Sequence, residues 1–331
     1  MIIFDGYNGG VGSQYGDGRD GVITITSGSV DIQALYETSG EVLGATTKNG
    51  ADQGLGYGLG TYDPENGAFI QATDFTIDLE ATLTHGTAYG DGSSNKNGIV
   101  YIGCIGTFTN NGTIDVDELG GAGGAGGAIL APFTGGTGIG SGGGAGGYYL
   151  APTYNFSRGG AAGIAYGTTL IPKTTWADLY GSGGGGGSAS HTNAVDGGAG
   201  GGGGGSANAG TAGNNGSSIP TGQAIGKAGG AGGGSIRIYA TKFITDSGAI
   251  TANGANGVTG TADTLGGGGG GSGGTVYIET ISGTIGTNLI TCTEGAGGVA
   301  ASGGGVGGAG SVGRIHIAGA YTGTTDDPAI A

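Results

Sequence analysis

Carboxylates are the first place to look for chemistry in this chain, and Asp115, Asp117 and Glu118 form its only dense acidic group beside a repeating strand. Hydrolysis or elimination on a polysaccharide needs two or three carboxylates with a basic residue close by. No Lys or Arg adjoins this group in sequence. His85, His191 and His316 are scattered and lack metal-ligand spacing. Asp17 and Asp20, in Tyr15-Gly16-Asp17-Gly18-Arg19-Asp20-Gly21, could present two carboxylates to calcium, and Asp326-Asp327 is a second pair. Calcium takes about six to eight oxygens, so a solvated Asp-Gly turn is the better account of both. The glycine runs match G-x-G-x-x-G many times over, without the strand–helix context that gives the motif meaning. Cys104 and Cys292 each follow a strand-like run; they read as small buried apolar residues, with one long-range bridge as the alternative. No catalytic residue and no cofactor is expected, calcium at Asp17 and Asp20 being the one weak candidate.

Binding is better served than catalysis. Two segments concentrate aromatic residues: Tyr148-Tyr149-Leu150-Ala151-Pro152-Thr153-Tyr154-Asn155-Phe156-Ser157-Arg158, and Pro172-Lys173-Thr174-Thr175-Trp176-Ala177-Asp178-Leu179-Tyr180 with the only Trp. Aromatic rings offer large rigid area at low entropy cost and stack on sugar faces, with Arg or Asn alongside to orient the ligand. Tyr148, Tyr149, Tyr154, Phe156, Arg158, Trp176 and Tyr180 are therefore the receptor-binding candidates. The alternative is that the same rings fold down over the glycine-rich scaffold and supply its missing apolar mass.

That scaffold must come from glycine, since 92 of 331 residues are Gly, against a usual share near ~7%. Glycine opposes helix by roughly 1 kcal/mol per residue relative to Ala, so essentially no α-helix is expected. Flexible linker is the ordinary reading of such tracts. These, however, abut strands directly, as in Gly232-Gly233-Gly234-Ser235-Ile236, and recur many times. Gly120-Gly121-Ala122-Gly123-Gly124-Ala125-Gly126-Gly127-Ala128 is a strict three-residue repeat. A left-handed extended helix with three residues per turn would line every Ala on one edge and leave two edges of bare backbone. Neighbouring helices could then approach closely enough to exchange backbone hydrogen bonds.

The strands repeat as well. Ser235-Ile236-Arg237-Ile238-Tyr239, Thr275-Val276-Tyr277-Ile278-Glu279 and Arg314-Ile315-His316-Ile317-Ala318 alternate β-branched with polar or aromatic residues, the signature of a half-buried strand. Ile236, Val276 and Ile315 are 40 and 39 residues apart, and Ile99-Val100-Tyr101-Ile102 is a fourth copy. Asn110-Asn111-Gly112 and Asp246-Ser247-Gly248 mark matching turns. The expected class is all-β, as β-solenoid or β-sandwich-like strand repeats with packed polyglycine II helices; a sandwich of independent hairpins stays open. Three regions are expected: 1–118, β-rich and used for attachment or assembly; 119–234, a glycine-rich array with aromatic inserts; 235–331, strand–turn–glycine repeats.

A net charge of −15, from 9 basic and 24 acidic residues, speaks against nucleic acid and anionic membranes as partners. No run is long and apolar enough for a membrane span. Met1-Ile2-Ile3-Phe4-Asp5-Gly6 lacks the basic and apolar regions of a secretory signal. A display protein without a signal fits a virion component released by lysis.

Gly16-Asp17-Gly18-Arg19-Asp20-Gly21-Val22-Ile23-Thr24-Ile25 resembles the opening of many glycine-rich phage structural proteins, where strand repeats and then glycine tracts follow. The tracts and inserts from about 119 onward resemble the distal tail-fibre adhesins of T-even-like phages. The resemblance implies packed polyglycine helices carrying loops that recognise a bacterial surface, with Tyr154, Phe156 and Trp176 among the contacts. The expected role is a non-catalytic virion surface or tail-fibre adhesin for a host glycan or outer-membrane protein, joined to other virion subunits as a homo-oligomer. A structural subunit of an extracellular or cell-surface filament ranks second, a polysaccharide depolymerase third and an ice-binding protein fourth.

Overall fold

The computed structural model describes residues 21–32, 69–88, 97–127, 135–139, 143–149, 157–163, 181–188, 200, 202–203, 209–214, 226–260, 266–300 and 305–325. Strands and extended glycine runs make up nearly all of them, so the chain is all-β. The β-branched runs supply the strands, because Val, Ile and Thr fit a pleated surface better than a helix.

One sheet takes β1 (Val22–Ile25), β3 (Phe69–Ala72), β4 (Asp74–Ile77), β6 (Ile99–Asn110), β10 (Ser235–Ile244), β12 (Thr275–Thr287) and β14 (Arg314–Thr324). Its order is β1-β4-β6-β10-β12-β14, with β3 also on β6. A second sheet runs β13 (Ile290–Thr291), β11 (Ala249–Thr251), β7 (Thr113–Asp115), β5 (Ala81–Thr84) and β2 (Gly28–Asp31). Every pairing in both sheets is parallel. Independent hairpins are thereby excluded, since a hairpin pairs its strands antiparallel. The anticipated repeat registers as the spacing requires, with Val100, Ile236, Val276 and Ile315 side by side across four strands. The two strand-rich stretches, before 118 and after 235, share both sheets through β6 with β10 and β7 with β11.

The long strands β6, β10 and β12 each turn at their end into a short strand of the second sheet, as β10 does through Asp246-Ser247-Gly248 into β11. The faces between the sheets hold one buried cluster that includes Ile23, Phe75, Ile102, Phe108, Ile236 and Phe243 from the first and Leu83, Ile114, Ile250 and Ile290 from the second. Phe75, Phe108 and Phe243 stack in a column with centroids 5.3 and 5.4 Å apart. Cys104 and Cys292 are buried and unbridged. Their thiols donate to the carbonyls of Thr73 and Arg314.

Parallel strands need crossovers, and here glycine runs supply them. After β11 the chain goes out along 252–260 and returns along 266–274 to β12; after β13 it goes out along 292–300 and returns along 305–313 to β14. Run 266–274 is buried throughout. Its amides follow a three-residue rule: Gly267 and Gly270 donate to Gly305 and Gly308, Gly268 and Gly271 to Val258 and Ala255, Gly269 and Ser272 to Gly185 and Ser182. Its carbonyls accept from three further runs, through Lys227, Gly230 and Gly233, Gly200 and Gly203, and Gly295 and Gly298. Six neighbours surround one run. A Cβ at Gly268 or Gly271 would come closer than 3.0 Å to the carbonyl of Ala228 or Ala231. Bare backbone is therefore a packing requirement at those two positions, where the neighbouring carbonyl already fills the space.

Candidate functional site

The glycine runs decide where the inserts between them leave the scaffold. Run 120–127 begins beside Gly232 and Gly181 and ends beside Gly226 and Gly187. Gly232 lies just before β10, so 120 marks the sheet-side end of the array and 127 its opposite tip. Gly147 bonds to Gly135 and Gly186, and therefore also ends near the tip. Runs terminate there at 127, 147, 188, 214, 260 and 300, and resume at 135, 159, 200, 226, 266 and 305. The residues joining them fall largely outside the described residues.

The first aromatic insert leaves from this tip. Its base is a short antiparallel pair, β8 (Tyr148–Tyr149) on β9 (Ser157–Arg158), with Tyr148 opposite Arg158 and Tyr149 opposite Ser157. Tyr154 and Phe156 lie outside the described residues. The second insert leaves Gly163 heading toward the sheets and returns at Gly181, whose amide donates to Gly233 and whose carbonyl accepts from Gly121. Trp176 and Tyr180 lie outside the described residues. The two inserts thus start from opposite ends of the array, and the backbone does not bring their bases together.

The acidic group is placed fully, and its bonds are structural. Asp115 accepts from the Asp117 amide at 2.9 Å and the Thr251 hydroxyl at 3.4 Å. Asp117 accepts from the Asn253 amide at 2.6 Å and its side-chain Nδ2 at 3.1 Å. Asn253 Oδ1 in turn accepts from the amide and hydroxyl of Thr293, both at 2.8 Å. The pattern continues outward, Asn256 Oδ1 taking the Ala296 amide and Thr259 Oγ1 the Val299 amide. Side chains spaced by three on one run thus hold the backbone of the corresponding run 40 residues on. Asn253, Asn256 and Thr259 stand opposite Thr293, Ala296 and Val299, a pairing that follows only from the parallel register of the strands.

The outer face of the first sheet carries a second row, Tyr101, Arg237, Tyr277 and His316 in register. Tyr239 leans against both Tyr101 and Tyr277, and His316 stacks on Tyr277 at 5.1 Å. The Tyr277 hydroxyl donates to Glu279 at 2.9 Å, and burial together with that carboxylate pushes its pKa up. Tyr101, Tyr239 and Tyr277 are all buried, so these three rings are packing. His85 is buried too, its Nδ1 accepting from the Thr87 amide. His191, Asp17, Asp20, Asp326 and Asp327 lie outside the described residues. Among the described residues no group of three or more His, Cys, Asp or Glu could hold a metal, and no helix is long and apolar enough to cross a membrane. Comparison with protein-family models, with curated proteins and with solved structures finds no match to this chain.

Proposed function

We propose that this chain is a non-catalytic adhesin of the virion surface or tail-fibre type, binding a glycan or outer-membrane protein of a host cell. In this reading the strand units are coils of a short β-solenoid and the glycine runs are polyglycine II helices. The three-residue hydrogen-bond rule and six-fold surroundings of 266–274 support the helix assignment. One observation carries the functional reading: at least six runs end at one tip, away from the sheets, so the points where their connectors begin and finish lie close together. Binding residues concentrate on loops held by such scaffolds. The insert with Tyr154 and Phe156 belongs to that tip and is the first candidate for the contact surface.

The test is binding of the purified chain to candidate host cells and to a panel of surface glycans. Tyr154→Ala with Phe156→Ala should weaken binding at least about tenfold, as loss of an aromatic hot spot does, without changing the melting temperature. Trp176→Ala, in the insert that starts from the opposite end of the array, separates the two inserts. Release of oligosaccharide from the glycan would replace the adhesin with a depolymerase. Concentration-dependent filaments in electron micrographs would replace it with the structural subunit.

A further inference from the structure

The tip of the glycine array is set apart by its charge. The connectors that start and finish there span 128–134, 150–156, 189–199, 215–225, 261–265 and 301–304. Their sequence contains two carboxylates, Asp196 and Asp263, and no Lys or Arg. Arg158 in β9 and Lys227 near the start of its run stand beside them with two positive charges. The charges that these connectors and run ends bring together therefore balance, in a chain whose net charge is −15.

Apolar surface gathers at the same end. Val258, Val299 and Val306 stand close to the ends of their runs and are 46, 58 and 40% exposed. Those three runs lie against one another: the Gly260 amide donates to the Val299 carbonyl, and the Gly307 amide to Gly298. Exposed apolar groups collected in one place mark contact sites for other molecules. An anionic glycan would need Arg or Lys to hold its carboxylates or phosphates. A neutral sugar would need fixed hydrogen-bonding groups for its hydroxyls, which a valine side chain lacks. The centre of a protein–protein contact, by contrast, is apolar and depleted of charge.

We infer that the tip recognises an uncharged apolar patch on a protein of the host surface, and does so without ionic contacts. This rests on the adhesin reading and narrows its partner from glycan or protein to protein. Val258, Val299 and Val306 are the part of the contact that the scaffold itself carries, and burial of apolar area rather than charge steering sets the affinity.

Binding of the full chain to cells of candidate host bacteria, titrated from about 50 to about 500 mM sodium chloride, tests this. Ionic contacts weaken as salt screens them, whereas apolar contacts do not. The dissociation constant should change by less than about twofold across the series. Protease treatment of the cells should abolish binding, and periodate oxidation of their sugars should not. Val258→Asp, Val299→Asp and Val306→Asp should each weaken binding at least about tenfold by burying an unpaired carboxylate, at an unchanged melting temperature. Leu79→Asp, at an apolar site between β4 and β5 that is 74% exposed, should leave binding as it was. An affinity that falls with salt by about tenfold or more, binding that survives protease but not periodate, or Val variants that bind like the wild type would each overturn the inference and leave the adhesin standing. Failure to bind any candidate host would overturn the adhesin and the inference together.

Discussion

Glycine in this chain is selected by the atoms around each position rather than by flexibility. At Gly271 the space a methyl would need is filled by the carbonyl of Ala231. Gly271→Ala should therefore cost about 3 kcal/mol, the upper range for overpacking a tight interior, measured by urea denaturation. Ala125 tests the converse, since it sits exposed on the edge of its run. Ala125→Ser should change stability by less than about 0.5 kcal/mol, as surface substitutions do. If the two variants melted alike, the runs would not be packed backbone against backbone. The Cys104 thiol makes a second residue-scale case. Burial pushes it up to about 11 from an ordinary 9.0, and Asp74 adds to the rise. Between those values the unfolded chain releases a proton that the folded chain keeps. Stability from this group is thus complete below pH 9 and falls as pH climbs toward 11, by at most about 1.4 kcal/mol per pH unit. Tyr277, also shifted up, acts with the same sign at higher pH. Urea titrations from pH 8 to 11 should show a shallower decline in Cys104→Ala than in the wild type; parallel curves would sink this account of the thiol.

At the scale of the element, period and register were legible, and the contacts between successive runs were not. The alternation in Ser235-Ile236-Arg237-Ile238-Tyr239 and its copies is local chemistry, so the strands and their 40-residue spacing could be read directly. Four-residue strands such as β4 and β5 sit in a stretch without that spacing and escaped notice. The Phe75–Phe108–Phe243 column escaped too, because its members are 33 and 135 residues apart and align only when the parallel sheet forms. Phe108 lies in the middle, fully buried with a ring on each side. Phe108→Ala should destabilise the chain by about 3–5 kcal/mol, and Phe108→Leu by less. Asp117 belongs to this scale as well, since it links β7's turn to Asn253 and through it to Thr293. Its acidic neighbours suggested chemistry, but its oxygens are engaged by Asn253. Asp117→Ala should cost about 1–3 kcal/mol by stranding the Asn253 amide, whereas Asp117→Asn should recover part of that loss.

Across the whole molecule, two packing regimes meet at Gly234, Gly274 and Gly313, where glycine runs become strands. Side chains fill the space between sheets; mostly backbone, with a few short polar side chains such as Ser182 and Ser272, fills the space between runs. The three-residue repeat of 120–128 pointed to such packing, but not to which run meets which, because one bare glycine edge resembles another. The partners follow from where the strands pin the ends: 227, 230 and 233 donate to 266, 269 and 272, each 39 residues on, because β10 and β12 lie side by side in a 40-residue register. The array therefore depends on the sheets for its register, and burial within it should grade from centre to rim. Run 266–274 is buried along its whole length among six neighbours, whereas 209–214 lies at the surface with four of its six residues exposed. Hydrogen exchange followed by mass spectrometry should find the amides of 266–274 opening only with global unfolding. Those of 209–214 should exchange through local opening, orders of magnitude faster. If 266–274 exchanged as readily as the rim, backbone hydrogen bonds would not be holding the runs together, and a tip of gathered connectors would have no rigid base from which to bind.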